Sequence, residues 1–180
     1  MVSTAALLWT CTSGTENKAE SDTLEIAQDS LVLPETHIVE EISYQPKIDA
    51  LNGTHYCYIK KLYHNKNRYF IDADLIEFFR GEAAVEAARK DGGAETRVDA
   101  NGDTVYSVLN DYYVVNKDEN VSTFEIGDKA SIKLWLFNDD GEMVDGKGLE
   151  DLKKKDFKFS PFILELKDGT VGKVAEQYVP

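Results

Sequence analysis

Apolar positions in this chain recur with two different periods, and the change of period marks the elements. Across residues 130–137, Ala130, Ile132, Leu134 and Leu136 fall on one side of an extended backbone, and Ser131, Lys133, Trp135 and Phe137 on the other. That alternation is the signature of a half-buried strand. Short β-branched or aromatic runs over residues 36–43, 54–63, 68–72 and 105–115 predict four more strands. Residues 64–67 join the second and third of these runs as a hairpin loop. Over residues 82–90 the period lengthens. Ala83, Ala84, Ala87 and Ala88 share one helical face, Glu82, Glu86 and Lys90 the other, and Gly92 and Gly93 stop the run. So small a face lets this helix lie close against a sheet. Residues 148–155 predict a second, short helix.

Turn chemistry supplies the punctuation. Pro46, Asn52 and Gly53 fill the first connection, and residues 91–102 read as a polar loop. Asp74-Leu75-Ile76-Glu77 has the spacing of a helix capping box. Asn138 to Gly141 reads as a turn. Asp168-Gly169 sits between apolar runs at 162–166 and 171–179 and predicts a closing hairpin, because both residues tolerate positive φ. About seven strands in hairpins with one clear helix at 82–90 predict an α+β fold, mostly antiparallel sheet. A curled sheet of this size closes as a small barrel, and a helix between strand groups suits an OB-like one.

Composition narrows the function. Hydrophobic residues are 42% of 180, enough for a packed core, and the net charge of −13 opposes binding to nucleic acid. No apolar run reaches the roughly 18 residues of a membrane span. Residues 1–10 are uncharged and end at Cys11, after which the chain is polar and acidic up to Pro34. This is the pattern of a lipoprotein signal remnant (1–11) and a flexible acidic tether (12–34), with Cys11 as the lipidated residue and 35–180 as a single globular domain. The basic n-region of a whole signal is missing. Cys57 then stands alone in an aromatic strand, where a buried apolar thiol is expected.

Three segments carry a resemblance. Phe79-Arg80-Gly81-Glu82-Ala83-Ala84 leads into the alanine helix, Asn110-Asp111-Tyr112-Tyr113-Val114-Val115-Asn116 follows, and the chain closes with Asp168-Gly169 and Glu176-Gln177-Tyr178-Val179-Pro180. Over residues 55–180 the chain resembles a family of bacterial secreted proteins and lipoproteins with no established activity. The resemblance implies an extracytoplasmic place and carries over no catalytic role.

Candidate chemistry is sparse. Asp99-Ala100-Asn101-Gly102-Asp103 starts like a calcium loop but has Thr104 and Asn110 where glycine and glutamate belong, so an Asn-Gly turn explains it better. His55 and Cys57 share a strand face, and a zinc site there would need further ligands. Lys60, Lys61, Lys66 and Arg68, interleaved with Tyr58, Tyr63 and Tyr69, make one basic hairpin in an acidic protein. Asp111, Tyr112 and Asn116 flank an apolar strand with groups that stack on and orient a ligand. The expected function is a non-catalytic domain, without cofactor or resident metal, held to a bacterial envelope by a lipid on Cys11. It binds a protein, peptide or glycan there. A carboxylate-based hydrolase and a metal-binding envelope protein are the alternatives.

Overall fold

In the computed structural model, which describes residues 39–138 and 140–179, a two-residue strand β1 (Glu40–Glu41) leads into a long antiparallel hairpin. Its arms are β2 (Gly53–Asn65) and β3 (Arg68–Arg80), joined at Lys66 and Asn67. After α1 (Glu82–Asp91) come β4 (Glu95–Val98), β5 (Thr104–Ser107) and β6 (Tyr112–Val115). The long β7 (Val121–Phe137) pairs with β8 (Met143–Lys147), and α2 (Leu149–Lys154) precedes the hairpin of β9 (Pro161–Lys167) and β10 (Thr170–Glu176). Cys11, the signal remnant at 1–11 and the tether at 12–34 lie outside the described residues, as does the start of the first expected strand. Among the described residues no helix is long and apolar enough to cross a membrane.

Five strands close a barrel. The order β2-β9-β10-β7-β3 returns to β2 through the β2–β3 pairing. Counting only these five along the chain, the order is first, second, third, fifth, fourth, with the third and fifth parallel. That is the Greek-key connectivity of an OB barrel. The short helix α2 holds the place between third and fourth strands, while α1 and β4 to β6 form an insertion between second and third. The core is the barrel interior. Cys57, Ile59, Leu62, Ile71, Phe124 and Leu134 meet Phe162, Leu164 and Val174 there, and the fully buried Leu152 of α2 joins them. Burying one such leucine contributes about 1.5–3 kcal/mol.

Two bulges adjust the alternation. In β2 the register skips between Ile59 and Lys61, so the inward positions change from Cys57 and Ile59 to Leu62. In β10 it skips between Val171 and Lys173, and the inward positions become Val171 and Val174. Such insertions bend a strand and let a small barrel close. The Asp168-Gly169 turn has φ of 48° and 77°, as its sequence demands. Of the two faces of residues 130–137, the one that carries Ile132 and Leu134 turns inward, and both are buried. Of the alanine face of α1, Ala84 and Ala88 are fully buried, and the helix packs on β3 and β6.

Several expectations need correction. Asp74 to Glu77 starts no helix: β3 continues to Arg80, and Asp74 turns its carboxylate to Lys60 and Asn116 instead of to the backbone N–H of residue 77. The β-forming Ile76, Phe78 and Phe79 outweigh the capping pattern. Residues 91–102 are not all loop, because β4 pairs with β5. The run 105–115 is not one strand. It breaks at Leu109 to Asp111, where Asn110 and Asp111 take φ of 58° and 59°. After glycine, these two residue types enter the left-handed region most readily, and an extended ladder cannot pass through it.

Candidate functional site

A cleft of about 640 Å³ opens beside the middle of β2. Val39, Ile59, Leu62 and Phe157 give it an apolar lining, and four cations stand around it: Lys60 and Lys61 from β2, Lys153 from α2, and Lys158 from the connection to β9. Tyr58 and Asn116 complete one side. Two of the sequence candidates therefore converge here, since Asn116 comes from the segment after β6 and the lysine pair from the basic hairpin.

The local fold explains each placement. Lys60 is the extra residue of the β2 bulge, and a bulge re-aims the side chain it carries. Its Nζ lies 3.1 Å from Oδ2 of Asp74, a carboxylate with no exposure. Asn116 donates its Nδ2 to the same oxygen at 2.9 Å. That bond fixes the orientation of the Asn116 amide, whose carbonyl oxygen can only accept. Asp74 Oδ1 has no hydrogen-bond partner. The Tyr58 hydroxyl has its pKa raised, first by burial, then by Tyr112 and Asp74, with Lys60 opposing. Lys61 pairs with Glu40 at 2.6 Å, and that bond raises its pKa. Lys153 bonds Glu150 and stands 4.6 Å from the Tyr69 ring centre; Glu150 first and then Tyr69 raise its pKa. The carboxylates at the cleft are engaged too: Glu40 holds Lys61, and Asp156 Oδ1 accepts the Lys158 backbone N–H at 2.9 Å.

Other candidates lie elsewhere. Tyr112 stacks on Phe78 at 5.5 Å between ring centres, and Phe78 stacks in turn on Tyr56. Asp111 is exposed in the turn before β6, where its backbone carbonyl accepts from Gly81 N–H. The structure thus unites Asn116 with the cleft, holds Tyr112 in an aromatic row and leaves Asp111 apart. Tyr63 is buried with its hydroxyl on Asp72, Lys66 is exposed at the hairpin turn, and Arg68 bonds Glu125 and Gln45. His55 bonds the Asn52 carbonyl, while Cys57 sits in the core with its thiol pKa pushed up to about 12, by burial first and by Asp74 second. Among the described residues no group of three or more His, Cys, Asp or Glu is placed to hold a metal ion. Asp99 accepts the backbone N–H groups of Asn101 and Asp103, so the loop that starts like a calcium site is a β4–β5 hairpin turn.

Lys153, Lys158 and Phe157 were missed from sequence. Their signal was the basic run Lys153-Lys154-Lys155 followed by Phe157-Lys158, which carried only a helix expectation. No protein-family model, curated protein or solved structure matches the chain.

Proposed function

We propose that this protein is a non-catalytic binding domain, displayed outside a bacterial membrane on a lipid carried by Cys11, and that it takes its ligand in the β2 cleft. The observation that carries this reading is an apolar-lined cleft ringed by four lysines in a chain of net charge −13, three of them held in place by carboxylates: Lys60 by Asp74, Lys61 by Glu40 and Lys153 by Glu150. A surface of mixed apolar and cationic character in an otherwise acidic protein is suited to an anionic ligand. The cleft carboxylates already hold Lys61 and a backbone N–H. That favours binding over a hydrolase, which needs carboxylates available to the substrate.

The test is capture from intact envelopes by the full chain, compared with a Lys61→Glu/Lys158→Glu variant of equal melting temperature. The expected result is partners retained by the native protein and lost by the variant. Identical capture by both proteins refutes the cleft as the binding site. For the anchor, labelling of cells with an alkynyl fatty acid is expected to mark the native chain and not Cys11→Ala.

A further inference from the structure

Asp74 joins two side chains brought to it by different elements. Tyr58 of β2 lies opposite Asp74 across the ladder, and the bulge that follows aims Lys60 at its carboxylate. Val115 of β6 lies opposite Glu77, and the next residue, Asn116, turns its amide to the same carboxylate. Lys60 Nζ, at 3.1 Å, and Asn116 Nδ2, at 2.9 Å, thus meet at one atom, Asp74 Oδ2. Asp74 itself is wholly buried. An alkylamine, a primary amide and a buried carboxylate in contact with both are the nucleophile, electrophile and proton carrier of an amide exchange.

We propose that this triad is a modification site, at which Lys60 and Asn116 join in an intramolecular isopeptide bond with Asp74 as the catalytic residue. The reaction balances without a co-reactant. The Lys60 ammonium gives one proton to Asp74 Oδ2, and the freed Nζ attacks Cγ of Asn116. A new C–N bond forms, and the bond from Cγ to Nδ2 breaks. Asp74 passes its proton to Nδ2, the nitrogen its Oδ2 already contacts, and that nitrogen leaves as ammonia. The attacking nitrogen sheds its second proton through Asp74 to the ammonia, which departs as ammonium, and Asp74 ends as the carboxylate it was. Holding both partners on one atom supplies the proximity that an amine and an amide lack in solution. The flexible lysine stem lets Nζ pivot from Oδ2 to Cγ. Lys60 and Asn116 both line the cleft, so the leaving group has a way out. The bond ties β2 to the end of the segment that carries α1, β4, β5 and β6, and it constrains the unfolded chain as a disulfide does. It leaves Lys61, Lys153 and Lys158 as cations at the cleft, so the binding reading above stands or falls separately.

The test is peptide mapping of the full chain by tandem mass spectrometry after extended incubation in the folded state. The expected result is a branched peptide that joins the Lys60 and Asn116 segments and is lighter than its two parts by one ammonia. Lys60→Arg, which keeps the charge, and Asn116→Ala should both lack it. Asp74→Asn, shown to be folded by circular dichroism, should form the bond to Asn116 about a hundredfold more slowly or worse. A map of the native chain in which the Lys60 and Asn116 peptides are recovered separate and unmodified overturns the proposal. An ammonia deficit shared by the native and Lys60→Arg chains overturns it too, since that loss belongs to a succinimide at Asn52-Gly53 or Asn101-Gly102. A branched peptide that forms equally fast in Asp74→Asn overturns the role given to Asp74.

Discussion

Lys155 and Glu176 close one end of the barrel with a ring of polar contacts, and its removal has a calculable cost. The β7–β10 ladder ends at Lys133 and Ala175, which leaves the backbone groups of Trp135 beyond it on that side. Glu176 Oε2 accepts the Trp135 N–H at 2.9 Å, and Lys155 Nζ donates to the Trp135 carbonyl at 2.8 Å. The two side chains meet each other at 2.8 Å, and they are only 13% and 7% exposed. Lys155→Met keeps most of the aliphatic stem and removes the charge. It leaves the nearly enclosed Glu176 side chain short of its cation, and such a loss costs about 3–5 kcal/mol. A domain of ordinary stability has about 5–15 kcal/mol in all, so the urea midpoint should fall by about 2 M. The double variant Lys155→Met/Glu176→Leu removes both charges and should recover most of the loss, because an apolar pair of similar volume is often neutral. Urea unfolding followed by tryptophan fluorescence gives all four corners of the cycle. A single variant within about 0.5 kcal/mol of native, or a double variant as poor as the sum of the singles, would refute the view that burial makes this pair costly to break.

Gly169→Val should destabilise by about 3 kcal/mol, since a β-branched residue resists the φ of 77° and an added Cβ would lie 2.6 Å from the Asp49 carbonyl oxygen; urea midpoints check it. Asn116→Leu should cost about 1–3 kcal/mol by stripping a donor from a buried carboxylate that already has one unpartnered oxygen, and a neutral melting curve would show that Asp74 does not need it. Cys57 and Tyr63 have pKa values raised from 9.0 and 10.0 to about 12, in both cases by burial first. Above pH 9 the unfolded chain sheds protons that the folded chain keeps, so this contribution to stability is present below pH 9 and is lost as pH rises towards 12. Alkylation of Cys57 at pH 9 should accordingly proceed only at the rate of unfolding, and rapid labelling of the native protein would show the thiol to be accessible.

The legible parts of this fold are those in which a local rule had no competitor. Asp168-Gly169 could make only a tight turn between two apolar runs, and Gly92 could end α1 because it takes a φ of 80° at no steric cost. The barrel as a class followed from counting hairpins. Its closure did not, because the pairings of β2 with β9 and of β7 with β10 join distant segments and leave no mark on either one. The front half of β7 was missed for a local reason: Gly127, Asp128 and Lys129 interrupt it, and the β10 register jumps from Ile126 to Ser131 across that bend. Asn110 and Asp111 carry the opposite signal, two turn formers inside an apolar run, and their φ of 58° and 59° breaks the strand that the apolar run alone predicts.

The candidate site follows the same logic, with one sign that was open to reading. In Cys57-Tyr58-Ile59-Lys60-Lys61-Leu62-Tyr63, strict alternation from the inward Cys57 and Ile59 puts Lys61 inside the barrel. A lysine without a partner in an apolar core is far costlier than a break in the ladder. The sequence is therefore consistent with a half-buried strand only if one residue is inserted between Ile59 and Leu62. That insertion is the bulge at Lys60, and it returns Leu62 to the core while keeping both lysines out. Asp74 and Asn116, by contrast, are brought to Lys60 by the pairing of β2 with β3 and by the chain leaving β6, which no spacing in the sequence announces. The bulge that lets the barrel close is also what presents two adjacent cations at the cleft. Any substitution that straightens β2 should therefore disturb packing and cleft together.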